Sequence, residues 1–502
     1  MNQKYIIIIL LILSLNSYGQ ITFNLKGEVV SRSIPATNMN GATIQIGTNL
    51  QILEYGTYTS PDGASIPGYL VKVGEQTYSI RANHLNRIQL DEPASIVELW
   101  DQILLRSDLP ESYAEYGYQY DIRKDLEEEA QEMINIFYNQ NLMFYDDYIE
   151  DYLQSLLNRV QPNTYEDRKP GHLNIKIVSS TMPDSYSLPN GTIIVTTGLI
   201  SLVNSEEELI AILTHEVAHY VLDHQITNYN AQVTREKRAV FWAGIATGIA
   251  AAGEAYMNVH NDIYTGGALT VSTAILSSSI AQEVVSRLGI KYTQEQEREA
   301  DHTCGLVLDL LEIDSTALSS DLMKIKNYYT DQESYYELSP EGPYPTLMQR
   351  IKQIGEPDPL QFQNKKYDII VSLVHTHNAI MHLNARQPVT AIMMCDRNIE
   401  AGIAMEDDYI IKAMATRQMS ETTAGNLEAL RQLQTAESLD ILPSITVYKQ
   451  QGITYLRLDM LDEAIDAFTR YRKNLEAAAP SDYVNSELSW TRAMIHKAGL
   501  LE

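Results

Sequence analysis

The stretch that decides how this chain folds and what it binds lies at residues 214–220 and reads Thr214-His215-Glu216-Val217-Ala218-His219-Tyr220. On a helix, His215 and His219 are one turn apart and face the same way, so both imidazoles can reach one metal ion. Zinc prefers such nitrogen ligands at about 2.0–2.1 Å. Glu216 is displaced by about 100° around the helix, where it can contact a metal-bound water without ligating the metal. The stretch therefore predicts a zinc site with Glu216 as a catalytic base.

The residues around this stretch predict the helix that carries it. Three glutamates at 206–208 form an acidic first turn, which suits the positive end of a helix dipole. Leu209, Ile212 and Leu213 recur at helical spacing, as they do in helices that bury one face. We expect one amphipathic helix from Glu206 to His224, packed against the core.

A catalytic zinc site needs a third protein ligand, and His224 is one candidate. It lies nine residues after His215, about half a turn out of phase on a continuous helix. The HExxHxxGxxH arrangement also requires a glycine where this chain has Leu222. We therefore interpret His224 as a surface or packing histidine and not as a ligand.

A second candidate lies in the acidic run at residues 295–301, Glu295-Gln296-Glu297-Arg298-Glu299-Ala300-Asp301. Glu297 and Asp301 share one helix face, while Glu299 points nearly opposite to Glu297. By itself the run is typical of a solvated charged face. The alternative is that a carboxylate of this face completes a His₂Glu site and that Asp301 orients a ligating histidine.

The chain from about Leu126 to Ile351 resembles a family of zinc endopeptidases, the HExxH zincins that include the CAAX prenyl proteases and their bacterial periplasmic relatives. Four features match in order, namely residues 188–191 leading to 196–199, the His215–His219 motif, Glu297-x-x-Ala300-Asp301, and Pro345-Thr346 leading to Arg350-Ile351. Several of these periplasmic relatives also end in a tetratricopeptide domain.

The resemblance implies roles for residues that the motif alone does not assign. Glu297 becomes the third ligand of one zinc ion per chain, and Asp301 its second-sphere partner. The strand from Thr192 to Thr197 becomes the sheet edge onto which a peptide substrate adds as an extra strand. An ordinary core strand is compatible with the same residues, so that alternative stays open.

One position departs from the family. Before Pro345 the family usually carries a histidine that faces the metal and supports the oxyanion, and this chain has Tyr344. A tyrosine can also donate a hydrogen bond, so we expect Tyr344 or Arg350 to stabilise the charge that develops on the scissile carbonyl.

These patterns together predict an exported, zinc-dependent metalloendopeptidase. Its expected substrates are protein or peptide chains, above all damaged or misassembled envelope proteins. One alternative is a metal-containing chaperone or binding protein with little proteolysis, although such a protein would have no use for Glu216. A membrane-embedded prenyl-protein protease is another, but it would need several strong transmembrane spans.

The fold class that we predict is multidomain α+β. Residues 1–19 read as a cleaved signal peptide because Lys4 and the apolar run Ile6–Leu13 precede the small residues Ser17 and Gly19. The localisation is therefore expected to be periplasmic or secreted. Residues 20–92 form a small β-rich, SH3-like domain, with predicted strands at 43–46, 50–53, 69–73 and 76–80.

Two helical regions follow. Residues 93–362 form the mainly helical zincin-type peptidase domain with a small sheet, and its predicted helices begin near residues 96, 126 and 148. Residues 363–502 form a helical, tetratricopeptide-like domain, expected to gather envelope partners. The repeat signature comprises Tyr448, Gly452, Tyr455, Ala464 and Phe468.

Charge and composition narrow the partners. Lys and Arg total 37 against 65 Asp and Glu, and the net charge of −28 argues against nucleic-acid binding. The apolar stretches 240–252 and 263–281 are rich in small residues and predict a buried or interfacial helical hairpin. Membrane insertion is the alternative, and we expect peripheral membrane contact. Cys304 and Cys395 are expected to be buried, unpaired thiols.

Overall fold

A computed structural model gives the structure of the protein, and it describes residues 21–37, 42–59, 64–106, 118–139, 141–162, 173–227, 292–331, 347–358, 361–439 and 443–501. Four regions for which the sequence makes predictions lie outside these residues: the signal peptide at 1–19, the apolar stretches 240–252 and 263–281, and Tyr344 with the adjoining Pro345-Thr346. Among the described helices, none is both long and apolar enough to cross a bilayer.

The described chain begins with a small antiparallel sheet. Its strands are β1 (Ile21–Val29), β2 (Ile34–Pro35), β3 (Thr43–Ile44), β4 (Asn49–Thr59), β5 (Ser65–Val73), β6 (Gln76–Arg81) and β7 (Ile88–Leu90). Five of them pair in the order β6-β5-β4-β1-β7, and β2 pairs with β3. The predicted strands are confirmed, whereas β1, β2 and β7 were not predicted. The finer assignment of this sheet as SH3-like stays a prediction.

Alternation along β1 explains how the sheet forms a core. Every second residue of β1 is buried, as expected for a strand with one face in the core. Helix α1 (Ile96–Arg106) covers this core with Leu104 and Leu105, while its Leu99 and Trp100 belong to the core of the next region. One helix therefore joins the sheet to the helical body.

The helical body holds the remaining elements of the central region. They are α2 (Tyr118–Asn139), α3 (Asp147–Val160), β8 (Asn174–Val178), β9 (Ser185–Ser187), β10 (Thr192–Thr196), α4 (Thr197–Leu202), α5 (Glu206–Val221), α6 (His224–Thr227), α7 (Gln294–Leu310), α8 (Thr316–Asp331) and α9 (Leu347–Ile354). The predicted helices near residues 96, 126 and 148 correspond to α1, α2 and α3, although α2 begins earlier than predicted, at Tyr118.

The three-stranded sheet of this region has the order β8-β10-β9, with β10 parallel to β8 and antiparallel to β9. All five residues of β10 are buried. The prediction that Thr192–Thr197 forms the substrate-binding edge is therefore wrong, because β10 has a partner on each side. The short strand β9, which the sequence did not predict, lies at the edge.

Helix α5 is buried almost all round, which is typical of a helix in the centre of a large core. Ser205 caps its first turn by accepting a hydrogen bond from the backbone N–H of Glu208. The helix was predicted to continue to His224, but it ends at Val221. Asp223 has a φ of 54°, a left-handed conformation that no helix continues through.

The C-terminal region consists of helices α10 (Lys365–Ile370), α11 (Ser372–Asn384), α12 (Pro388–Ala401), α13 (Glu406–Met419), α14 (Thr423–Leu439), α15 (Ile445–Arg457), α16 (Leu461–Ala477) and α17 (Asp482–Leu501). Helices α11 to α16 pack as three successive pairs. In the last pair, a Cβ on Gly452 would lie 2.5 Å from the ring of Phe468, so a glycine is required there.

The first C-terminal helices share the core of the central region. Tyr367, Val371 and Val374 belong to the same buried cluster as α5. The Tyr367 hydroxyl donates to the carbonyl oxygen of Ile200 at 2.7 Å. A cut near residue 363 would therefore divide a continuous core. Cys304 and Cys395 are both buried and unpaired, as predicted.

Candidate metal centre and active site

Three side chains from two helices meet at one point, as expected for a metal site. Helix α5 supplies His215 and His219, and helix α7 supplies Glu297. The two Nε2 atoms lie 3.0 Å apart. The Oε2 atom of Glu297 lies 3.5 Å from Nε2 of His215 and 3.9 Å from Nε2 of His219. Among the described residues, these three form the group that could hold a metal ion.

The spacing of these atoms fits a zinc ion. Tetrahedral bonds of about 2.0–2.1 Å separate ligand atoms by roughly 3.3 Å, and the point equidistant from the three atoms lies about 2.0 Å from each in their plane. Burial lowers the pKa of His219 well below its usual value, and the charge of His215 lowers it further. The imidazole is therefore neutral, as a ligand must be.

Glu297 is held in its ionised form. Burial alone would raise the pKa of this carboxyl, but the Arg350 guanidinium and His215 bring it down to about 2. Arg350 Nη1 lies 2.7 Å from Glu297 Oε2. Burial would lower the pKa of His215, but its hydrogen bonds to Asp301 and Glu297 raise it to about 9. The donor set of two imidazoles and one carboxylate suits Zn²⁺, and binding of the metal would release the proton from His215.

Asp301 lies behind His215 and anchors Arg350. Its Oδ1 lies 3.0 Å from His215 Nδ1, the ring nitrogen that faces away from the other ligands. Arg350 of α9 donates to both oxygens of Asp301, with Nη2 and Nε each at 2.8 Å. Asp301 and Arg350 are 8% and 7% exposed. The bidentate contact with Arg350 holds Asp301 in place, and Asp301 in turn orients His215 from its Nδ1 side.

Glu216 lines the same cavity as the ligands and is only 6% exposed. The Ser185 hydroxyl of β9 donates to its Oε1 at 2.8 Å. Its Oε2 has no hydrogen-bond partner among the described residues. Burial raises the pKa of Glu216, against the opposing effect of His215. A carboxylate held by one oxygen, with a raised pKa, is suited to take up a proton.

The sequence interpretation missed the side chains that support His219. His224 is 3% exposed, and its Nδ1 lies 2.8 Å from His219 Nδ1. The earlier phase argument assumed an unbroken helix, but the left-handed Asp223 turns His224 back toward the site. The ring of Tyr292 stacks on His219 at 3.6 Å with an interplanar angle of 12°. The break after Val221 could have been suspected from Asp223, whereas nothing in the sequence marked Tyr292.

The cavity beside the ligands has a volume of about 100 Å³. On one side it is bounded by Ser185 and Tyr186 of β9, and on the other by Asp321 and apolar residues of α8. Asp321 is 1% exposed, and neither of its oxygens has a hydrogen-bond partner among the described residues. Burial raises the pKa of Asp321 well above its usual value, and the charge of Glu208 raises it further.

The structure thus gathers six predicted site residues into one place: His215, Glu216, His219, Glu297, Asp301 and Arg350. Tyr344 lies outside the described residues, so its predicted role as an oxyanion donor stays a prediction.

Comparison with known proteins agrees with this geometry. The chain is 24% identical over 202 residues to the beta-barrel assembly-enhancing protease of Yersinia pestis, an alignment that covers 40% of this chain and 36% of that protein. The chain thus spans about a third of the length of that relative. Residues 149–358, which include all six gathered site residues, match the model of peptidase family M48. The resemblance found in the sequence is therefore confirmed, and this chain contains a metallopeptidase domain of family M48.

Proposed function

We propose that this protein is an exported zinc metalloendopeptidase that hydrolyses peptide bonds in envelope proteins. The observation that carries the proposal is the buried Glu216 carboxylate, which lines the same cavity as the three ligand atoms and is held by Ser185. A protein that only bound metal would need the ligands but not a positioned base beside them.

The residues of the site divide the reaction between them. His215, His219 and Glu297 would hold a zinc ion, which polarises a carbonyl and lowers the pKa of water. Glu216 takes a proton from the attacking water at its free Oε2 and later returns it to the leaving amine. Ser185 keeps the other oxygen in place by its hydrogen bond. Arg350, or Tyr344, stabilises the charge that develops on the scissile carbonyl.

Strand β9 is the element onto which an extended substrate would add. One side of β9 pairs with β10, and its other side has no strand partner among the described residues. Ser185 lies on this strand and contacts the base. A peptide that adds to the free edge by main-chain hydrogen bonds would therefore run past Glu216.

Other parts of the proposal concern location and partners. Export is supported by the signal-like residues 1–19. A role in quality control of envelope proteins is supported by the name of the Yersinia pestis relative, a beta-barrel assembly-enhancing protease. The paired C-terminal helices resemble tetratricopeptide repeats and would gather envelope partners. The N-terminal sheet would be SH3-like, and the peptidase domain a zincin.

The Glu216→Gln variant tests the enzymatic role. The amide keeps the shape of the side chain and leaves the three ligands in place, so we expect zinc content and unfolding midpoint to match the wild type. Cleavage of a casein-type substrate should fall to background. Glu295→Gln is the matched control, since Glu295 is exposed on α7 and should leave cleavage unchanged.

Two results would contradict the proposal. Cleavage retained by Glu216→Gln would remove Glu216 as the base. A wild-type protein that binds zinc but cleaves none of a broad panel of unfolded envelope proteins would favour the metal-containing chaperone or binding protein instead.

A further inference from the structure

A second cavity, of about 170 Å³, lies in the C-terminal region, away from the metal centre. Its walls come from the end of α11 and from α13 and α15. These are the first helices of the three successive pairs, so the cavity lies where stacked helix pairs present one common surface. Surfaces of this kind are used for binding extended chains in proteins built from helical repeats.

The charge of this cavity is opposite to that of the protein. Of the nine described residues that line it, four are cations and one is an acid, whereas the whole chain has a net charge of −28. The cations are Arg386, Arg417, Lys449 and Arg457, of which Lys449 already forms an ion pair with Glu487 at 2.8 Å. A concave cluster of one sign within a field of the other sign selects for a ligand that the rest of the surface would repel, here an anion.

The cations differ in how firmly they are held. Arg417 is 7% exposed, and its Nη1 donates to the carbonyl oxygen of Gln450 at 3.1 Å and to the Thr454 hydroxyl at 2.9 Å. These bonds fix a buried guanidinium at the base of the cavity. Arg386 and Arg457 are exposed, and neither forms an ion pair with another described residue.

Gln418, which lines the same cavity, offers a hydrogen-bond acceptor to a ligand. Its Nε2 donates to the carbonyl oxygen of Leu383 at 3.3 Å. Its Oε1 is buried and receives no hydrogen bond from the described residues. Buried acceptors normally have a donor, and the broad terminal torsion of a glutamine lets this oxygen turn toward a donor that enters the cavity. A phosphate monoester is mostly dianionic at neutral pH and then has no hydrogen to donate, whereas a peptide N–H is a good donor.

We propose that this cavity binds the carboxyl terminus of an extended polypeptide. Arg386, Arg417 and Arg457 take the terminal carboxylate through charge-assisted hydrogen bonds. Gln418 accepts from the last peptide N–H, and Met414 and Ile453 offer an apolar wall for the last side chain. The site is independent of the proposed peptidase activity, because none of its residues belongs to the metal centre.

The test uses the full-length protein and a short fluorescein-labelled peptide of alanine and serine that ends in leucine. Its binding is measured by fluorescence anisotropy for the free-acid and the amidated forms. We expect the amidated peptide to bind at least about tenfold more weakly, since it loses a charged hydrogen-bonding group. The double variant R386Q/R457Q should weaken binding of the free acid by a similar factor. These two side chains are exposed, so the variant is expected to fold.

Arg492→Gln is the matched control, since Arg492 is an exposed cation of α17 outside the cavity. Equal binding of acid and amide overturns the proposal, and so does an equal loss in R492Q and R386Q/R457Q, which would indicate general charge attraction. Inorganic phosphate that displaces a bound peptide at equimolar concentration also overturns it, in favour of a phosphate site. Measurements on the Glu216→Gln background separate this result from any failure of the peptidase proposal.

Discussion

Asp301→Asn tests whether the carboxylate behind His215 prepares the metal site. In the wild type, Asp301 lies 3.0 Å from His215 Nδ1 and accepts two hydrogen bonds of 2.8 Å from Arg350. The amide keeps the size of the side chain but loses the charge and one acceptor atom. Loss of a partner behind a ligating histidine typically lowers metal affinity about 10–100-fold, which corresponds to about 1.4–2.8 kcal/mol.

The same substitution should also lower the stability of the metal-free protein. One charge-assisted bond between α7 and α9 is lost, and such bonds contribute about 1.5–3 kcal/mol. Arg350 keeps its contact with Glu297, so we expect a loss at the lower end of that range. Zinc affinity is measured by competition with a chelator, and stability by urea unfolding of the metal-free protein.

Glu295→Gln provides the control, because it makes the same chemical change on an exposed position of the same helix. It should change neither quantity. If Asp301→Asn bound zinc within about twofold of the wild type, the proposed orientation of His215 would be refuted. If stability fell without any change in affinity, Asp301 would be only a structural partner of Arg350.

Three further predictions follow from particular contacts. Glu297→Ala should lose zinc, whereas His224→Ala should keep it with weakened affinity, since His224 contacts Nδ1 of the ligand His219. Metal analysis after dialysis measures both, and the reverse result would show that Glu297 is not the third ligand. Asn378→Ala removes buried hydrogen bonds to α4 and should lower the free energy of unfolding by about 3 kcal/mol, while Asn485→Ala, at an exposed position, should change urea unfolding little. Burial lowers the pKa of His377 to about 4, whereas its unfolded pKa is near 6.5. The contribution of neutral His377 to the free energy of unfolding is therefore complete above pH 6.5 and falls by up to about 3 kcal/mol as the pH drops to 4. His377→Gln should reduce this loss of stability at acid pH, and an unchanged profile of stability against pH would contradict the prediction.

The sequence could place the candidate ligands within each helix because that geometry is local. Helical spacing alone places His215 and His219 on one face, and the same rule pairs Glu297 with Asp301 on α7. The starts of α1 and α3 followed from periodicity for a similar reason, whereas the start of α2 and the end of α5 did not. Helical spacing could not show that the two helices pack side by side. Only the family resemblance linked Glu297 to the histidines.

The errors arose where the structure depends on partners distant in the sequence. Strand β9 has three residues, too few for a periodic pattern, so nothing marked it as the edge strand. The family resemblance implied that edge for Thr192–Thr197 instead. The end of α5 depends on a single left-handed residue, Asp223. The stacking of Tyr292 on His219 depends on tertiary packing, which no local pattern encodes.

The C-terminal helices have a physical connection to the catalytic base that their distance along the chain conceals. Asn378 of α11 accepts from the Thr197 hydroxyl at 2.9 Å and so holds the start of α4. Thr196, the last residue of β10, caps that same helix. Strand β10 in turn pairs with β9, where Ser185 donates to Glu216. Each link is a buried or partly buried contact between adjacent elements, so the position of the base depends on how α11 packs. The C-terminal region therefore contributes to the active site as part of its framework, whatever partners it also binds.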